Sequence, residues 1–79
     1  MSPGMGLMKR RLEGEKDAIA LAVSAVAKKY DASPEQTAVL ETKYHDESGD
    51  WYVALGWEEK RAVIRMDSVQ GTVTEIKEI

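Results

Sequence analysis

The sequence predicts an α+β fold, one N-terminal helix packed on a three- to four-stranded antiparallel β-meander, and three observations predict it. The chain has 79 residues, room for one core and no second. One stretch, residues 15–30, carries apolar residues at helical spacing. From Thr37 onward the apolar residues alternate at the period of a strand, and short polar turns interrupt them.

The elements follow in order. Residues 1–12 read as a flexible leader or a helix extension, and residues 13–79 as the single domain. Met-Ser-Pro-Gly-Met-Gly at the start holds too much Gly and Pro for regular structure. In the helix, Leu12, Ile19, Val23, Val26 and Tyr30 form an apolar stripe with Val23 in its middle, widened by Ala22 and Ala27. Glu13, Glu15 and Asp17 at its start and Lys28 and Lys29 at its end suit the helix dipole. Met8 continues the stripe, so the helix could begin before Gly14, at a cost of about 1 kcal/mol for an internal glycine. Pro34 disfavours helix at the residue before it and closes the element. Ser33-Pro34-Glu35-Gln36 has the form of a capping box opening one further turn.

Thr37 to His45 then alternates, Ala38, Leu40, Thr42 and Tyr44 against Val39, Glu41, Lys43 and His45. Residues 46–50 make a polar turn. Trp51, Val53, Leu55 and Trp57 share one face of the next strand, with Tyr52, Ala54 and Gly56 on the other. Glu58-Glu59-Lys60 reverses the chain into Arg61–Asp67, where Ala62, Ile64 and Met66 align. A last turn at Ser68-Val69-Gln70-Gly71 leads to a final strand over residues 72–79. Turns this short require antiparallel pairing, because parallel strands need long crossovers.

Composition narrows the function by exclusion. A net charge of −3 and a pI near 5.1 argue against nucleic acid as a partner. Lys9-Arg10-Arg11 supplies three positive charges, too few to hold phosphate at physiological salt, and acidic residues follow at once. No apolar run is long enough to span a membrane, and no apolar segment of a signal peptide follows the basic residues. A cytoplasmic location follows if the chain is complete, and an extracytoplasmic one if it is cut from a secreted or anchored precursor. Cysteine is absent, which removes disulfides, thiolate metal sites and a thiol nucleophile.

Catalytic, metal and cofactor residues are not found. His45-Asp46-Glu47 with Asp50 is the one His–carboxylate cluster, yet neighbouring strand residues point apart, and the loop lacks calcium-hand spacing. The single His has no serine in a glycine-framed elbow, and Gly4-Met5-Gly6 precedes no phosphate-binding lysine. The expectation is a non-enzyme without a cofactor. Trp51, Val53, Leu55 and Trp57 are expected under Ile19, Val23 and Val26 as the core, since Phe is absent and the bulk must come from these residues. The candidates for partner contact are Tyr44 and Tyr52 on the outer sheet face, and Trp57 if its position at the strand end leaves it exposed.

Trp51-Tyr52-Val53-Ala54-Leu55, then Ala62-Val63-Ile64-Arg65-Met66-Asp67 and Ser68-Val69-Gln70-Gly71-Thr72-Val73, resemble the PepSY domain, as does the helix Asp17-Ala18-Ile19-Ala20-Leu21-Ala22. The resemblance spans roughly residues 15–76. It implies a helix on an antiparallel sheet, with the binding or inhibitory duties of protease propeptides and cell-envelope proteins, and no catalytic residue. The chain shows no signal peptide, anchor or attached peptidase, so the resemblance carries binding further than protease inhibition. Asp67 and Gly71 have a reading of their own as structural turn residues: Asp accepts turn N–H bonds and Gly takes positive φ.

The expected function is a non-enzymatic module that binds a protein or peptide, inhibitory or regulatory in effect. A homodimer is one such pairing, since the small core leaves apolar surface to bury. The alternative is a small-ligand-binding regulatory domain that uses the groove between helix and sheet.

Overall fold

The computed structural model describes residues 11–79. The initial leader, the Met8 extension and Lys9 and Arg10 lie outside the described residues. Helix α1 (Glu15–Tyr30) is followed by a 3₁₀ turn (Pro34–Gln36) and strands β1 (Thr37–His45), β2 (Asp50–Trp57), β3 (Lys60–Asp67) and β4 (Thr72–Glu78). The strands form one antiparallel sheet in chain order, β1-β2-β3-β4. The helix covers one face.

The helix starts at Glu15, with Gly14 as an extended cap (φ −147°, ψ 175°), so Leu12 does not belong to it. Leu12 is nevertheless buried. The Arg11 and Leu12 amides both donate to the Ser68 carbonyl, at 2.9 and 3.0 Å, and the Trp51 indole Nε1–H donates to the Leu12 carbonyl at 3.1 Å. The helix ends at Asp31, in the left-handed region (φ 57°, ψ 34°). The capping-box expectation at Ser33 is corrected: its side chain caps nothing, and its carbonyl instead accepts from the Gln36 amide and the Thr37 hydroxyl.

The buried face of the helix is not centred where the stripe places it. Ala18, Ala22 and Val26 are fully buried, while Ile19, Val23 and Tyr30 pack from one flank and Leu21 from the other. A helix lying close to a sheet needs small side chains at the line of contact, and the branched residues fill the wedges beside it. Beneath lie Val53, Leu55, Ile64 and Met66, all fully buried, with Ala62 and Trp57. Each large apolar side chain in this layer contributes roughly 1.5–3 kcal/mol by leaving water. Trp57 stacks on Tyr30 with ring centroids 5.1 Å apart.

Two bulges, both on edge strands, adjust the register. In β1 the pairing steps from Val39↔Leu55 to Glu41↔Ala54, so Leu40 is the extra residue. In β4 it steps from Val73↔Met66 to Glu75↔Arg65, leaving Thr74 extra, its hydroxyl bonded to the Arg65 carbonyl at 3.1 Å. Directly paired residues share a face. The helix-facing side of β1 therefore carries Val39, Thr42 and Tyr44, not the unbroken alternation read from the sequence. In the turn before β4, Gly71 has φ +70°, and the Asp67 carboxylate accepts from the Val69 and Gln70 amides at 2.9 and 3.2 Å.

Candidate binding face

The face of the sheet away from the helix is open, and cross-strand pairing lays it out in rows. His45, Asp50, Asp67 and Thr72 make the first row. Lys43, Tyr52, Arg65 and Glu75 make the second, and Glu41, Ala54, Val63 and Lys77 the third. Ala38, Gly56 and Arg61 close the far end. On the two central strands Tyr52, Ala54, Gly56 and Val63 are interleaved with Arg65, Arg61, Asp50 and Asp67, and the edge strands add Lys43, Glu41, Glu75 and Lys77.

Arg65 is the best-tethered side chain on this face. Its Nε–H and Nη2–H groups both donate to Asp50 Oδ2, at 3.1 and 2.9 Å, and its guanidinium lies 5.8 Å from the centre of the Tyr52 ring. The hydrogen bond to Asp50 raises the Arg65 pKa, and Tyr52 and the Asp50 charge act in the same direction. Arg65 is therefore a fixed positive charge beside a ring, held by a carboxylate that is itself buried. A shallow hollow of about 220 Å³ lies along Glu41, Lys43, Tyr52, Ala54 and Val63. A larger one, about 510 Å³, lies between Leu40, Gly56 and the turn at Glu58 and Glu59. Leu40, exposed by its bulge, lies across Gly56: a Cβ there would sit 3.3 Å from Leu40 Cδ1.

The three aromatic candidates go to three different places. Tyr52 is on the open face. Tyr44 is on the helix side, opposite Trp51 with ring centroids 4.9 Å apart. The four-residue turn 46–49 pairs His45 with Asp50, and that register puts Tyr44 and Tyr52 on opposite sides. Trp57 is buried against Tyr30 and offers no exposed anchor. Val63, Ala54 and Leu40, which sequence reasoning did not select, complete the open face. Period-2 alternation marked Val63 and Ala54 as facing away from the core, but nothing local signalled the bulge that turns out Leu40.

His45 Nδ1 lies 3.0 Å from Ser48 Oγ. Among the described residues no three His, Asp or Glu side chains come together in a way that could hold a metal ion. No helix among them is long and apolar enough to cross a membrane. No family model matches the chain, and no curated protein or solved structure matches it.

Proposed function

We propose that this domain is a non-enzymatic module that binds a protein or peptide through the open face of its sheet. The observation that carries the reading is the contrast between the two faces. One is closed by the helix, with Val53, Leu55, Ile64 and Met66 fully buried. The other has Tyr52, Ala54 and Val63 half-buried around Arg65 on the two central strands, and Leu40 exposed on the β1 edge. A centre of one aromatic ring, small apolar side chains and one arginine, with a charged rim, is the layout of a protein-binding surface. The edges are worse candidates, since both edge strands are bulged and the β1 edge carries Glu41 and Lys43, features that discourage strand addition. The PepSY-like pattern supports the same class, because domains of that kind bind and restrain other polypeptides. The ligand-binding alternative draws less support, since large buried side chains fill the space between helix and sheet.

Selection from a displayed random-peptide library tests the reading. Wild type and a variant with Ala54→Lys and Val63→Lys serve as parallel baits, with circular dichroism to verify folding. Peptides retained by wild type and lost by the variant are expected. A library that yields no peptide distinguishing the two would end the proposal.

A further inference from the structure

We infer that the partner this face fits is a second copy of the chain, stacked on it about a two-fold axis parallel to the strands. The inference rests on the open face being the binding face, and it adds the partner's identity. Four exposed charges set the pattern. Lys43 and Glu75 stand at opposite ends of one row, and Glu41 and Lys77 at opposite ends of the next. Among the described residues none of the four has an ion pair. Positive and negative corners therefore alternate around a centre of Tyr52, Arg65, Ala54 and Val63.

A half-turn about an axis parallel to the strands lays each row over its own reverse. Lys43 then faces the second copy's Glu75, and Glu41 faces its Lys77. Tyr52 meets the second copy's Arg65, a ring against a cation, and Ala54 meets its Val63. Every corner faces the opposite sign on the second copy, and each of the two pairings occurs twice, as an isologous contact requires. The same half-turn lays Asp50 over the second copy's Asp67, an opposition offset within each copy by the Arg65 guanidinium on Asp50 and by the Val69 and Gln70 amides on Asp67. A copy shifted sideways by one strand would add Arg65 or Lys43 against a second Arg65. The centre suits close approach, because Ala54 and Val63 are small enough for two sheets about 10 Å apart.

Area bounds the interface. Four strands about 4.8 Å apart and eight residues long give a footprint of roughly 500 Å² per copy. The total of about 1,000 Å² is at the lower limit for a specific interface, the size class of weak, transient associations.

Sedimentation equilibrium of the full chain, from about 1 µM to about 1 mM, measures this directly. Wild type is expected to dimerise, several-fold more weakly in about 0.5 M salt. Glu75→Lys and Lys43→Glu are each expected to weaken the dimer by about tenfold or more, and the double variant to return within a few-fold of wild type. Glu41→Lys with Lys77→Glu is a second, independent swap, and circular dichroism verifies folding throughout. A wild type that stays monomeric to about 1 mM would refute self-association. Single reversals without effect, or double swaps that fail to restore the dimer, would refute this geometry. A monomer that still selects peptides dependent on Ala54 and Val63 would leave the binding reading standing and remove only the second copy.

Discussion

At the scale of single residues, Gly71 has two separate reasons to be glycine. Its φ of +70° strains any residue with a Cβ, and that Cβ would lie 2.9 Å from Arg11 Cβ, next to a backbone bonded to Ser68. The first reason could be read from a tight turn in the sequence. The second could not, because it depends on a segment about sixty positions earlier in the chain. Gly71→Ala is expected to lower stability by about 1–3 kcal/mol, measured by urea unfolding; an unchanged midpoint would contradict it. Thr42 presents the opposite case. Its hydroxyl is buried on the helix side with no hydrogen-bond partner among the described residues. Thr42→Val removes an unsatisfied polar group at nearly the same volume, so a gain of about 1 kcal/mol is expected in the same assay.

At the scale of elements, the bounds of the helix and strands were legible in the sequence to within a residue or so, because period 3.6 and period 2 replace one another cleanly at Pro34. The orientation of elements was less legible. The apolar stripe points to Val23, whereas the sheet contacts Ala18, Ala22 and Val26 most closely. Hydrophobicity scales favour the branched residue, while close packing favours the small one at the contact line. Ala22→Asp is therefore expected to unfold the domain, placing a carboxylate with no room and no partner in the core. Val23→Asp, on the flank, is expected to retain a cooperative thermal transition at lower temperature. Equal loss in both variants would mean that the helix is rotated as the stripe suggests. The bulges at Leu40 and Thr74 were equally hidden, since one extra residue changes no composition but reverses which face follows.

At the scale of the whole molecule, one helix on four strands is what the pattern of apolar residues requires of a chain this size. The candidate site was only partly legible. Tyr52 was singled out on the correct face, yet Tyr44 and Trp57 were drawn inside by the hairpin register and by Tyr30. Such sites depend on which residues stand beside each other across strands, and no local window of sequence contains that information. The Asp50–Arg65 pair that tethers the centre of the open face is a case in point, joining residues 15 positions apart on adjacent strands.

The clasp of Arg11 and Leu12 on Ser68 has a consequence in time. The three hairpins of the sheet join neighbours in the chain and can close early, but the clasp joins the start of the described fold to the β3–β4 turn across a loop of more than fifty residues. Closing so long a loop before the sheet exists has little to reward it, so the clasp belongs on the native side of the folding barrier. Leu12→Ala should then leave the refolding rate nearly unchanged. The full loss, about 2–3 kcal/mol for a buried leucine, should appear as unfolding roughly 30-fold to 160-fold faster in stopped-flow chevrons. On that account the N-terminal segment determines how long the folded domain lasts, and the hairpins determine how quickly it forms.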